Sequence, residues 1–526
     1  MKEGFRQAMA WLHTWAGLTF GWLLFAIFLT GTLAYFKDET THWMQPEIPV
    51  RSVSSEASLT LAQEYLEQHA ANASRWIIDL PGVREPGLTV RWQPAPAKPG
   101  ERAQFTEKRL DPQTGAEVQG RETSGGEFFY RFHFQLQMPY PWGRWLSTIA
   151  AMVMFVALIS GIITHKKIFK DFFTFRPRKG QRSWLDGHNA VGVLVLPFHL
   201  MITYSSLVIF MAMVMPASIV AAYKGDVQAF YSELFPASNN AKASGNPAPL
   251  LPLATMQEKA REQWSGGSAV RVTVNNPGDA NASVVLARDG ADRVVHDFGS
   301  AVTFNGTTGE LLAAAPEPGI SRAIAGGFYG LHMGHFAGPL LRWLYFICGL
   351  ASTAMIGTGL VIWLGKRQLK HVKSGVMPFE LRLVEVLNIA SMSGLVIAVA
   401  VFFWTNRVLP VEMAGRAEWE VNGFFIAWGL SLLHAILRRG RAAWVEQLTL
   451  AALLFVAVPL LNALTTPYHL GNAFVTGDWI MAGFDLACLG SGLFLGWAAW
   501  KMRRAGQAEK AGRHSTQAIN LEQEAN

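Results

Sequence analysis

The chain has 526 residues, 50% of them hydrophobic and only 16% charged. Ordinary soluble domains carry about 25% charged residues, so the composition excludes a soluble globular protein. The net charge of +7 sits beside apolar runs, which is how membrane topology is written, and does not point to nucleic acid. The two cysteines, Cys348 and Cys488, lie in apolar runs, and there is no CxxC or CxxCH. That excludes a thiol-redox motif, a cysteine zinc site and covalent haem attachment.

A spanning helix needs about 20 mostly apolar residues. Eight stretches qualify: 12–36, 144–165, 188–215, 340–364, 383–405, 421–437, 445–465 and 480–500. The sixth is short. The first is long for the apolar region of a signal peptide, and no small-x-small cleavage site follows it, so it reads as an uncleaved anchor. Lys2 and Arg6 precede the first span, and Lys166, Lys167, Lys170, Arg176, Arg178, Lys179 and Arg182 fill the loop between spans two and three. Lys366, Arg367, Lys370 and Lys373 follow span four; Arg438, Arg439 and Arg441 follow span six; Lys501, Arg503 and Arg504 follow span eight. Every second loop is basic, which predicts both termini in the cytoplasm. The predicted organisation is then a first span over 1–36, an outside domain over 37–143, spans two and three over 144–215, and a second outside domain over 216–339. Span four and its loop cover 340–374, four further spans cover 375–504, and 505–526 is a polar tail expected to be disordered.

An internal repeat runs through the first two thirds. Segments 107–118 (EKRLDPQTGAEV) and 301–312 (AVTFNGTTGELL) each predict a strand, a D/N-x-x-T-G turn and another strand, with Gly115 and Gly309 supplying positive φ. Amphipathic helix patterns at 59–70 and 253–264 precede them, and alternating segments such as 88–92 and 270–274 lie between. Helix followed by antiparallel strands makes a small α+β domain. The helices repeat as well. His133–Leu146 resembles His332–Leu344, and Gly161 and Gly359 each stand seventeen positions after Arg144 and Arg342. Trp11 to Gly17 resembles Trp184 to Gly192, with four positions from His13 to Gly17 and from His188 to Gly192. The fold class is thus an α-helical polytopic membrane protein of about eight spans with two outside α+β domains, built on a duplicated helix–domain–helix unit.

Ionisable groups in spans are costly and mark function. His13 and His188 sit at the inner ends of spans one and three, and His133 and His332 at the outer ends of spans two and four. Neutral imidazoles on facing helices bind a b-haem iron from both sides. His13 with His188 and His133 with His332 make two such pairs, with Gly17 and Gly192 leaving room for a flat macrocycle. His165 is an alternative to His13 or His188. His335, three residues from His332 on one helical face, is an alternative to His332. His199 lies eleven residues beyond His188, about 16 Å deeper in a straight helix. Its counterpart is Leu24, and a third-site ligand, a relay and a satisfied core histidine all remain open. Arg144 and Arg342 either pair with haem propionates or anchor the interface. His42, His69, His296, His371 and His514 read as solvated surface, and His434 and His469 as structural.

The opening WLHTWAGLTFGWLLFAIFLTGTL, the DPQTG and NGTTG turns, and the paired entries at 133–146 and 332–344 resemble the PepSY-associated transmembrane family over residues 8–370. The family includes inner-membrane siderophore-iron reductases and iron-regulated uptake proteins. The resemblance implies a four-helix di-haem core with two periplasmic PepSY domains, two b-haems on His13, His188, His133 and His332, and electron transfer to a periplasmic ferric siderophore. The donor would be a quinol or a cytoplasmic reductase, since no cytoplasmic stretch is long enough for a flavin or nicotinamide domain. Rival expectations are a non-redox PepSY-based binding or regulatory protein and a transporter of iron or chelate. The four spans after 375 lie outside the resemblance.

Overall fold

The computed structural model describes residues 3–524, except 50–52, 83, 85–86, 95–103, 166–171, 178, 235–241, 298 and 372–375. Lys2, Lys166, Lys167, Lys170, Arg178 and Lys373 of the topology argument lie outside the described residues. The chain forms two compact units, one of residues 1–45, 121–203 and 344–526, the other of 46–120 and 204–343.

The first unit is helical. Among the described residues, seven helices are long and apolar enough to cross a membrane: α1 (Glu3–Ala34), Trp142–Thr164, Pro339–His371, Phe379–Val408, Arg416–Leu437, Gly440–Thr465 and the helix from Trp479. The expected third span is instead a broken pair, Gln181–Leu194 and Leu196–Ile209, bent by 66°. Pro197 stands just after the break and has no N–H to continue the ladder. The depth of His199 counted along a straight helix therefore does not hold. The last helix is assigned as far as Glu524, so the tail expected to be disordered is helical. Its Ala, Gln, Glu, Lys and Arg residues are strong helix formers, which outweighs their polarity.

The four C-terminal spans are fixed to the rest of the first unit by a buried polar network. Arg416 pairs with Glu420 at 2.5 Å, both side chains fully buried. Glu420 accepts from Thr123 Oγ1 at 2.6 Å, from the Ser124 N–H at 3.0 Å and from Asn406 Nδ2 at 2.7 Å. Arg407 donates to Asn462 Oδ1 at 3.0 Å and to the Trp43 carbonyl. Asp485 accepts from Trp43 Nε1 at 2.9 Å and Asn462 Nδ2 at 3.1 Å. A buried charge is tolerated only when paired and hydrogen-bonded in this way. His42, read as solvated surface, is buried here and meets Asp478 at 3.0 Å.

The second unit is α+β. Helix Ser55–His69 precedes strands β1 (Ala73–Asp79), β2 (Leu88–Pro94) and β3 (Thr106–Leu110). Helix Leu253–Gln263 precedes β4 (Ala269–Asn275), β5 (Ser283–Arg288), β6 (Ala301–Asn305) and β7 (Leu311–Ala314). The two expected domains are not separate sheets. They share one seven-stranded sheet of order β3-β2-β1-β4-β5-β6-β7, joined where β1 pairs antiparallel with β4. Both helices pack on one face, where Leu59, Leu66, Leu253 and Met256 cluster with Ile78, Val90, Val272 and Val284. Each of these buried side chains contributes about 1.5–3 kcal/mol.

Both D/N-x-x-T-G turns form as the sequence predicts. Asp111 Oδ1 accepts from the N–H groups of Gln113 and Thr114, and Asn305 Oδ1 from those of Thr307 and Thr308. Gly115 and Gly309 follow with φ of 70° and 67°, the left-handed region that glycine adopts freely. The first turn is followed by a single bridge, Leu110 to Glu117, where a strand was expected. Elsewhere, Asp279 accepts from the N–H groups of Ser244, Gly245 and Asn281. The backbone N–H groups of Ser244 and Asn281 hold its carboxyl down to about 2.

Candidate functional site

The first unit contains a cavity of about 720 Å³, in the size range of cofactor sites. Its walls are apolar, with Leu18, Leu24, Met154, Leu158, Leu196 and Ile356 among them, and His13, His165 and His188 line it together. These are three of the histidines singled out in the sequence.

His13 and His188 occupy equivalent seats. His13 Nδ1 lies 2.8 Å from the Ala157 carbonyl, and His188 Nδ1 lies 3.0 Å from the Met355 carbonyl. A carbonyl only accepts, so each Nδ1 carries a proton, which makes Nε2 the nitrogen that a neutral ring would offer to a metal. Neither Nε2 has a hydrogen-bond partner among the described residues. Four residues after each carbonyl stands a glycine, Gly161 or Gly359. A Cβ at these glycines would come within 3.0 Å of His13 Cε1 and 3.3 Å of His188 Cε1. These are the two glycines seventeen positions after Arg144 and Arg342. A backbone carbonyl fixing the far nitrogen is the usual support of a metal-binding imidazole.

The two ring centroids are 6.4 Å apart, with planes inclined by 68°. Two imidazoles bound on opposite sides of one metal at about 2.0 Å each, with about 1.1 Å from nitrogen to ring centre, put their centroids about 6 Å apart. The observed separation is close to that value, and His13 and His188 would hold such a metal through their Nε2 atoms. Among the described residues no three His, Cys, Asp or Glu side chains gather as a metal site. A macrocycle would supply the remaining ligands, and the apolar cavity suits one. Gly17 faces open space, as expected of room for a flat ring, whereas a Cβ on Gly192 would meet Met355 Sδ at 3.2 Å.

His133 has the same kind of seat on α1. Its Nδ1 lies 2.7 Å from the Ile27 carbonyl, and a Cβ on Gly31, four residues on, would fall 2.4 Å from that nitrogen. Along α1, Ile27 is fourteen residues from His13, about 21 Å. His332 belongs to the second unit, where its Nδ1 lies 2.9 Å from Ser205 Oγ. The pairing of His133 with His332 rests on the sequence.

One further expectation is corrected. His335 does not share a helical face with His332, because the helix ends at Met333 and Gly334 takes φ 62°. His199 does not line the cavity. It is fully buried one turn past Leu196, edge-on to Phe28, and neither ring nitrogen has a partner among the described residues. Arg144 does not line the cavity either. It donates to Gln135 Oε1 at 3.0 Å and lies over the rings of Phe134 and Tyr140. Arg342 lies in the second unit. The basic residues that do line the cavity are Lys366, Arg367 and Lys370, and the Arg367 guanidinium stacks 3.7 Å from the centre of the Trp363 ring. The sequence reading assigned them to topology alone. The signal that could have found them is spacing, since Lys366 and Lys370 follow Gly359 by two and three helical turns.

The model of the PepSY-associated TM region matches residues 10–366. An uncharacterized protein of Pseudomonas aeruginosa is 24% identical over 395 residues, covering 72% of this chain and 95% of its own length. The family match ends before the four C-terminal spans, as the cavity does. Residues 10–366 carry the histidine seats and all seven strands, and the chain belongs to the PepSY-associated transmembrane family.

Proposed function

We propose that this protein is a two-haem, b-type electron carrier of the bacterial inner membrane that reduces a ferric siderophore on the periplasmic side. The observation that carries the reading is the approach of His13 and His188 in the lining of one apolar cavity, each with Nδ1 held by a helix carbonyl and Nε2 without a hydrogen-bond partner among the described residues. His13 and His188 would hold one haem, and Lys366, Arg367 and Lys370 would meet its propionates. His133 and His332 would hold the second. A bound b-haem supplies a one-electron iron couple of low solvent exposure. The carbonyl seats would orient the two imidazoles, and the walls around them are apolar.

The alternation of basic loops supports cytoplasmic termini and a periplasmic α+β unit, whose two halves correspond to paired PepSY domains. One electron from a quinol or a cytoplasmic reductase converts Fe(III) to Fe(II). Hard oxygen ligands bind Fe(II) less tightly, so the chelate releases it. That step rests on family analogy.

The test is an absorption spectrum of the purified full-length protein, oxidised and dithionite-reduced, with a pyridine haemochrome count. A b-type spectrum with about two haems per chain is expected. Protein expressed with ample haem that binds none would overturn the reading in favour of a non-redox binding protein or a transporter.

A further inference from the structure

The continuous sheet has a second face, opposite its two helices. Strand register settles which residues share it. Arg75, Ile77 and Asp79 of β1 stand opposite Gln93, Arg91 and Thr89 of β2, and opposite Asn275, Thr273 and Arg271 of β4. One strand further out, Arg109 and Glu107 of β3 stand opposite Thr89 and Arg91. The β5 and β6 positions of the same face are Ser283, Val285 and Ala287, then Asn305, Thr303 and Ala301, all uncharged. The charge is thus gathered about the seam between the two halves of the sheet, where Arg75, Arg91 and Arg271 meet one carboxylate, Asp79.

At the centre of that cluster, Arg91 and Arg271 converge on a single carboxylate, Asp79. Their side chains remain 27% and 52% exposed, and Asp79 29%. Arg75 donates to the neutral Asn275 Oδ1 at 3.0 Å, and Arg91 Nε has no hydrogen-bond partner among the described residues. One acid cannot neutralise two guanidiniums that each present five donors in a planar fork. Surface cross-strand pairs need only one cation per anion, so a solvated, self-satisfied face does not account for the excess.

We propose that the β1–β4 seam is the docking site for the iron substrate, and that this substrate is an anionic ferric chelate, one with iron held by carboxylate or catecholate oxygens. Arginine forks match such oxygens two at a time. Thr89 and Thr273 supply hydroxyls beside them, and Ile77 supplies an apolar floor between Arg91 and Thr273. The inference rests on the reading of the protein as a ferric-chelate reductase, but binding is measured without electron transfer. Haem content tests that reading separately.

The experiment is equilibrium dialysis of full-length oxidised protein in uncharged detergent against radioiron citrate, with a neutral ferric trihydroxamate as comparator. The wild type is expected to prefer the citrate complex, with binding that weakens as salt rises. Arg91→Gln with Arg271→Gln should weaken citrate binding at least tenfold and leave the trihydroxamate unchanged. Asp79→Asn, which frees both guanidiniums, should tighten citrate binding severalfold, a gain that misfolding cannot mimic. Equal affinity for both chelates in the wild type, or no change in either variant, would overturn the proposal. So would a requirement for anionic lipid in place of the chelate, which would make the seam a membrane contact.

Discussion

The glycines behind the histidines give a graded prediction. Ordinary contact with a Cβ begins at 3.4 Å. A methyl group at Gly31 would stand 2.4 Å from His133 Nδ1, about 1.0 Å too close; at Gly161 the shortfall against His13 is about 0.4 Å, and at Gly359 against His188 about 0.1 Å. The imidazoles cannot retreat freely, because each Nδ1 is tied to a carbonyl on the same helix one turn earlier. Overpacking of this kind costs about 1–3 kcal/mol. At 1.4 kcal/mol per tenfold, Gly31→Ala should weaken haem at the His133 site about 100-fold and Gly161→Ala at the His13 site about fivefold, with Gly359→Ala close to neutral. Helix propensity works in the other direction, since alanine is favoured over glycine by about 1 kcal/mol inside a helix. A loss of haem affinity alongside equal or higher thermal stability would therefore isolate the seat. The assay is haem titration into apoprotein, followed by absorption and by electron paramagnetic resonance of the low-spin ferric signals. Gly31→Ala with both signals intact and affinity unchanged would refute the reasoning, as would equal losses in all three variants.

The remaining expectations are simpler. Replacing His13 or His188 with Ala should each remove the same haem and leave the other; His199→Leu, which installs the residue of its counterpart Leu24, should keep both, and haem counts decide. Glu420→Ala leaves the fully buried Arg416 guanidinium uncompensated and should destabilise the first unit by about 3–5 kcal/mol, read as a lower unfolding midpoint, while haem in the surviving fold is unchanged. Asp279 is depressed to about 2 from an ordinary 3.8, so its contribution is present above pH 3.8 and is lost as pH falls through 2. Thermal unfolding followed between pH 5 and pH 2 should show Asp279→Asn less sensitive to acid than the wild type; equal sensitivity would discount the turn as an acid-labile point.

Much of the fold is legible in the sequence because its causes are local. Apolar length fixes the spans, since a backbone in lipid must satisfy its own hydrogen bonds and only a helix does so within one segment. The Asx turns at Asp111 and Asn305 are set by four or five residues each. His13, His188 and His133 stand out because a polar ring in an apolar stretch demands a reason. The bend at Val195 is local too, and Pro197 was its visible signal.

Tertiary structure decided the rest. The sheet edges on β1 and β4 carry no mark of their partner, and only the approach of two distant segments turned two expected domains into one sheet with a charged seam. His335 lost its place on the helix to a left-handed glycine, and the basic residues of the cavity were hidden among topology signals until helix packing brought Lys366, Arg367 and Lys370 to it. The sequence by itself determined which residues were polar where polarity is costly. Packing determined which of them face one another, because the distance between two rings on different helices is a property of how the helices meet and of no single segment.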